Sequence, residues 1–491
     1  MIRLPSGQRR ARRRLLMMCL AGLAAGVGAL GLGSASFAAA QSNVPCAAGQ
    51  AGLVAAINAA NFAGGGTINL AAGCHYSLTT PDNGENGLPV VTSQIAVNGN
   101  AATIDGTGSV RILEVDGPGG SLSLQNVTLT GGSADFGGAI ANVGGTVGLN
   151  HSLVTGNAAA DAGGGIANAT FDPSSVAKLT LNHSAVSNNE QTAGPEDENT
   201  LGGGGIVNIQ GTVTLNNSQA NSNSAQGFVG GGIASGDYFG FSDTSSVLTL
   251  NKSQVNDNTA PNAGGGGVQN LLGSVTVTNS EVNGNTSLNG GGIASGTAGS
   301  PPPATSQLTL NNSRVDGNTA TATPGEGPPI AGGGIANGGD ASLNNTEVDN
   351  NIASHGTGAG IANHGRMALN NSEVNGNIAA GSGVVASGGG IVNFEGPPGT
   401  GTTSLTLNNS RVNDNRAGGN GGGIANGVPF PQMSLSGGTL TLHNSQVTGN
   451  IAAHAGGIFN GGGSVTLSNT AVTGNTPDNC EPTGSIAGCT G

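Results

Sequence analysis

Two columns of charged residues recur at fixed offsets along this chain, and their side chains carry most of its chemical capacity. Each repeat has an alternating stretch such as Leu308-Thr309-Leu310, closed by a leucine or valine anchor. Four residues past that anchor, consecutive repeats read Glu281, Arg314, Glu347, Glu373 and Arg411. Two residues further they read Asp316, Asp349, Asn375 and Asn413. Stacked one repeat apart, Asp316, Glu347, Asp349 and Glu373 would share one face, with Arg314 between two glutamates. Carboxylates about 5 Å apart are what retaining glycoside hydrolases use, one as nucleophile and one as acid. Asp316, Glu347, Asp349 and Arg314 are therefore the candidate catalytic set. The same charges on a solvated strand make an ion-pair ladder with no chemistry. Nothing nearby in sequence supplies the shielded pocket that shifts a carboxylate pKa.

A second set comes from insertions. Five repeats take a longer route between the glycine phrase and the next anchor, and the extra residues carry Phe171, Tyr238, Phe239, Phe241, Phe394 and Phe430. All leave from the same corner, so they should line one side. Aromatic faces beside polar loops hold sugar rings or protein partners, unless each ring folds back over its own loop. Asp237 and Asp243 flank the densest group, which makes Asp237, Tyr238, Phe239, Phe241, Phe394 and Phe430 the candidate ligand-binding residues. Other loops, 190–201, 319–330 and 378–387, leave from a different corner. The acidic run Glu196-Asp197-Glu198 in the first of them is the candidate calcium site, and no other cofactor is called for. His151 and His183 share a column two residues past their anchors, but Lys252 joins them and no third ligand appears, so turn packing accounts for them.

These columns exist because the chain repeats. The anchors are Leu149, Leu181, Leu215, Leu250, Val277, Leu310, Leu343, Leu369, Leu407, Leu442 and Leu467, with a degenerate copy at Leu124. Eight residues past every full anchor stands an asparagine, from Asn157 to Asn475. Five residues past it stands a valine or alanine, from Val154 to Val472, and a glycine phrase such as Gly163-Gly164-Gly165-Ile166 adds a third apolar column. Short columns with period-2 alternation describe strands, and a unit this small must stack on its copies to bury an apolar face. The shortest period, Ile140 to Ile166, suits one three-strand rung. The expected fold is all-β: a right-handed parallel β-helix of about twelve coils, on the order of 55 to 60 Å long at ~4.8 Å per rung. Glycine and asparagine at the corners supply left-handed turns, and the asparagine column reads as an amide ladder and not as catalytic machinery.

The termini set the compartment. Residues 1–40 carry Arg3, Arg9, Arg10, Arg12, Arg13 and Arg14, then an apolar run ending Ala38-Ala39-Ala40, the pattern of a secretory signal cleaved before Gln41 by a general or twin-arginine route. Its loss removes six of thirteen basic residues and none of twenty-six acids, taking the net charge from −13 to −19. Nucleic acid and anionic membrane are poor partners for such a surface. Of the four remaining cysteines, pairing Cys46 with Cys74 and Cys480 with Cys489 would close each end. Leu53, Val54 and Ile57 form the apolar stripe of a short helix that could cover the first coil. The expected organisation is signal 1–40, cap and irregular coils 41–120, repeats 121–476 and a disulfide cap 477–491. No membrane anchor remains after cleavage, and the oligomeric state is not legible.

The phrase Gly137-Gly138-Ala139-Ile140 and the turn Val154-Thr155-Gly156-Asn157 resemble repeats of polymorphic outer-membrane-type proteins. More broadly, residues 46 to 489 resemble bacterial secreted right-handed β-helix proteins. Phenylalanine usually stands where this turn has valine, and no barrel-forming region follows the repeats. The resemblance implies the fold and an extracellular surface or adhesive role, with an extracellular glycan or surface protein as partner. The enzymatic alternative is a polysaccharide lyase or glycoside hydrolase on the acidic face.

Overall fold

The computed structural model describes residues 40–172, 174–194, 201–227, 229–237, 246–296, 306–321, 332–381, 386–395, 403–429 and 434–489, without the side chains of 429 and 434. The chain is a parallel β-helix. The eleven anchors stand directly opposite one another along one face, Leu149 beside Leu181 and so on to Leu442 beside Leu467. The valine column pairs in the same way, as Val282 with Val315 and Val348, and so does the isoleucine column from Ile140 to Ile458. Nearly all of these side chains are fully buried in one continuous core. Each leucine, isoleucine or valine so buried stabilises the stack by roughly 1.5–3 kcal/mol before the entropy of ordering the chain is subtracted.

One coil illustrates the path. The Leu strand Gln307–Asn311 turns at Asn312 into the Val strand Arg314–Asp316, and Asn318 ends that strand. A strand not anticipated from the alternation, Thr319–Ala320, follows and stacks into a ten-stranded sheet before the glycine phrase leads into Ile335–Asn337. The residue two past each anchor is left-handed in all eleven coils, with φ of 46° to 50°. Asparagine tolerates that conformation, and eight of the eleven positions carry it. His151, His183 and Lys252 occupy the same turn. The two imidazoles stack with centroids 5.0 Å apart, a turn-packing arrangement.

The asparagine column is an amide ladder. Each Nδ2 from Asn157 to Asn450 donates to Oδ1 of the next coil's asparagine at 2.9–3.1 Å. Two further ladders run beside it. One lies buried in the Ile strands, as Asn337 to Asn363 to Asn393 to Asn426. The other lies on the outer Leu face, as Asn182 to Asn150 and Asn216 to Asn182.

Both ends are closed as expected. The strand Ala40–Val44 pairs with Gly65–Leu70, and the helix Gly49–Phe62 buries Leu53, Ala56, Ile57 and Ala60 over the first coil, with Val54 half-buried. Disulfides join Cys46 to Cys74 and Cys480 to Cys489, with Cα separations of 5.5 and 6.3 Å. Ile486 in the second loop packs into the core end. Among the described residues no helix is long and apolar enough to cross a membrane.

Candidate functional site

The register brings the charged columns together. Glu281, Arg314, Glu347, Glu373 and Arg411 lie side by side on adjacent Val strands, and Asn283, Asp316, Asp349, Asn375 and Asn413 form the parallel row. The glutamates do not stand as free acids. Arg314 Nη2 donates to Glu347 Oε2, and Arg411 Nη1 donates to Glu373 Oε1 at 2.8 Å. The hydrogen bond and charge of Glu347 hold the Arg314 guanidinium more firmly protonated than usual. The Arg314 and Glu347 side chains are 49% and 45% exposed, so water screens this pair and its net contribution is small.

The aspartates are engaged by the backbone and by neighbouring amides. Asp349 Oδ1 accepts the Asn375 backbone N–H at 3.0 Å, and Asp316 Oδ1 accepts Asn350 Nδ2 at 2.9 Å. Asn283 and Asn256 side-chain oxygens accept the next coil's N–H in the same way. Aspartate and asparagine both provide the accepting oxygen in this row, at Asn256, Asn283 and Asp349, whereas Asn375 Oδ1 meets no hydrogen-bond donor among the described residues. Asp349 differs electrostatically. Partial burial first, then the charges of Glu347 and Asp316, push its carboxyl up to about 6 against the lowering effect of the Asn375 N–H and Arg314.

This shift has a stability consequence. A carboxyl whose folded pKa lies above its unfolded value stabilises the fold below pH ~4, and that contribution is lost as the pH rises through about 6. Asp349→Asn keeps the acceptor for Asn375 and removes the charge. The expected result is a urea midpoint higher than wild type at pH 8 and equal to it at pH 4. An equal midpoint at both values would show that Asp349 ionises without penalty.

The aromatic expectation is corrected at two positions. Phe394 is only 2% exposed and packs with Ala362, Val392, Ala425 and Val428, its ring 5.7 Å from that of His364. Burial lowers the His364 pKa to about 4, so the ring beside Phe394 is neutral near pH 7. Asp237 is buried too, its Oδ1 accepting Gln210 Nε2 at 3.0 Å. Phe394 itself thus packs on the side chains that follow the Ile column instead of projecting outward. Phe171 packs the same way, half-buried against the cluster of Phe136, Leu201 and Ile209. Tyr238, Phe239, Phe241 and Phe430 lie outside the described residues, as do Glu196, Asp197 and Glu198. Among the described residues no three His, Cys, Asp or Glu side chains are placed to hold a metal ion.

Comparison with known proteins adds little to this geometry. No family model and no curated protein matches the chain. Among solved structures it is similar to the A-module of the mannuronan C-5 epimerase AlgE6 of Azotobacter vinelandii, at 13% identity. The similarity covers 86% of this chain and 94% of that one with a TM-score of 0.34, too distant to align residues.

Sequence reading missed one polar cluster. Arg111 is 3% exposed and holds Glu85, Asn86 and Glu114 around its guanidinium. The available signal was a lone arginine in an irregular coil, 25 residues beyond Asn83-Gly84-Glu85-Asn86-Gly87, one repeat length away.

Proposed function

We propose that this chain is an exported, non-catalytic β-helix that acts as a surface or adhesive module toward extracellular glycan or matrix. The observation that carries this reading is the engagement of the candidate catalytic set. Glu347 and Glu373 are each neutralised by an arginine, and Asp316 and Asp349 serve neighbouring backbone and amide groups. An acid–base pair needs carboxylates with protonatable oxygens turned to a substrate in a water-poor pocket. The basic leader and the paired cysteines support export to an oxidising compartment. The likeness of the glycine phrase to polymorphic outer-membrane repeats supports a surface role by analogy.

One observation favours the alternative, a polysaccharide lyase or glycoside hydrolase on the acidic face. Asp349, held to about 6, carries a proton over part of the neutral range, as a general acid does. A polysaccharide panel with and without calcium separates the readings. The expected outcome is retention of a subset of glycans with no release of reducing or unsaturated ends. Product release that Asp349→Asn and Asp316→Asn each abolish would establish the enzyme instead.

A further inference from the structure

The disulfide cap covers the C-terminal end of the stack on some sides only. Cys480–Glu481 pairs with Ile458 and Phe459, and Asn479 Oδ1 ends the asparagine ladder by accepting the Asn475 backbone N–H at 3.2 Å and its Nδ2 at 3.1 Å. Among the described residues nothing pairs with the outer edge of the last Leu strand, Ser464–Ser468, or of the last Val strand, Ala471–Thr473. The core shows through at this edge. Val465 and Leu467 are half-buried, whereas Leu440 and Leu442, which hold the same places one coil back, are fully buried. Ser464 N–H donates to Gly438 O, and Ser468 O accepts Asn444 N–H, so both residues bond to the preceding coil. Alternation along the strand then turns the N–H and C=O groups of Val465 and Leu467 to the open side. The other end of the solenoid differs, since the helix Gly49–Phe62 packs over its first coil.

Strand edges in soluble proteins are blunted by charges, prolines or bulges, because their unpaired backbone groups recruit other strands. This edge has none of these devices. No Asp, Glu, Lys or Arg occurs between Arg416 and Asp478, and no proline or bulge interrupts 464–473. The rest of the chain is strongly acidic: without the leader it carries twenty-six acids against seven basic residues, thirteen less the leader's six. Its N-terminal coils alone hold Asp82, Glu85, Asp105, Glu114 and Asp116. Two copies therefore repel one another over most of their surface, and the uncharged Leu edge is where they approach without that cost.

We infer that two copies of this chain join through this edge as a two-fold dimer, the last Leu strand of one pairing antiparallel with that of the other. Pairing about Thr466 sets Val465 opposite Leu467 of the second copy, and Leu467 opposite its Val465. These residues carry the free backbone groups, so each opposed pair exchanges two hydrogen bonds. Their side chains lie on the same inner face, so the core continues across the joint. On the outer face Thr466 meets its own counterpart and Ser464 meets Ser468, with no like charges opposed. Centring the pair on Val465 or on Leu467 instead leaves one apolar residue facing Gly463 or Asn469. The cap raises the Ile side by one strand, so the contact is confined to the Leu side and the two stacks join at an angle. One strand pair is a small interface, and the expected dissociation constant is micromolar. The dimer doubles every face that the solenoid presents, whatever those faces bind.

The test is sedimentation equilibrium of the full-length exported protein from about 1 to about 500 µM. Wild type is expected to pass from monomer to dimer over this range. Thr466→Lys keeps the bonds within the coil and sets two cations face to face, so it should weaken association by roughly tenfold or more with the melting temperature unchanged. Cysteine variants read the register. Residues opposed at a non-hydrogen-bonded antiparallel position have Cα atoms about 4.5 Å apart, within disulfide reach, so Thr466→Cys should form a covalent dimer on mild oxidation. Ser464→Cys should not cross-link to itself, and should do so when mixed with Ser468→Cys. A monomer at the highest concentration overturns the joint, even if the edge takes up a strand of some other protein. A dimer indifferent to Thr466→Lys, a Thr466→Cys variant that fails to cross-link, or Ser464→Cys cross-linked to itself overturns it as well.

Discussion

Asn318→Ala is expected to destabilise the middle of the stack by about 4 kcal/mol, since two buried backbone groups lose their partners at about 1–3 kcal/mol each. Asn318 Nδ2 donates to Val282 O at 2.8 Å and to Asn351 Oδ1 at 3.0 Å, while its Oδ1 accepts both the backbone N–H and Nδ2 of Asn285 at 2.9 Å. Alanine leaves the Val282 carbonyl and the Asn285 N–H without these bonds in a fully buried corner. Asn312 makes a sharp control. It lies exposed in the left-handed turn of the same coil, so Asn312→Gly should change stability by only a few tenths of a kcal/mol. A solenoid this long need not unfold in one step, so amide hydrogen exchange is the measurement of choice. Protection should fall in the coils of Asn285, Asn318 and Asn351 and persist in the terminal coils. Unchanged protection around Asn285 would mean that the ladder is ornamental.

The same column explains how much of the fold could be read in advance. Period, core and ladder were legible because each is a repeated contact, and a parallel stack places residues of equal offset in register. Thr319–Ala320 was not legible as a strand, because two residues cannot show an alternation. The Arg111 cluster was hidden for the opposite reason. It is built once, in an irregular coil outside the anchor alignment, and only the folded chain brings Glu85 and Glu114 to the same guanidinium. Within the charged columns, register alone predicted which residues would meet. It could not show that the Asp349 row faces the backbone of the next coil, the contact that half-buries this carboxyl. Phe394 and Asp237 were misplaced because an aromatic or acidic residue at the start of an insertion looks the same in sequence whether its side chain points outward or is buried.

The glycine phrase carries the second large effect, and its cause differs from the one expected of a turn. Only the first glycine of the phrase is regularly left-handed, as Gly290 with φ of 61°. The third is glycine because the ladder lies against it. A Cβ built on Gly292 would stand 2.8 Å from Gly334 O and 3.0 Å from Cγ and Nδ2 of Asn318. The corresponding glycine meets the corresponding asparagine from Gly165 with Asn189 to Gly457 with Asn475. Glycine phrase and asparagine therefore recur together because they form one joint between neighbouring sides of the coil. Gly292→Ala must displace either a backbone carbonyl or the Asn318 amide, and the expected loss is about 3 kcal/mol, in the range of overpacked cores. Gly317→Ala is the comparison. Its φ is 64° with nothing within 4 Å of the added carbon, so only the left-handed penalty of about 1–2 kcal/mol applies. The decisive measurement is a double-mutant cycle. If Gly292→Ala acts by dislodging the Asn318 amide, then Asn318→Ala has already removed what it would break, and the double variant should be more stable than the sum predicts by at least ~1 kcal/mol. Strict additivity would show that the strain falls on Gly334 and that glycine and asparagine repeat together for separate reasons.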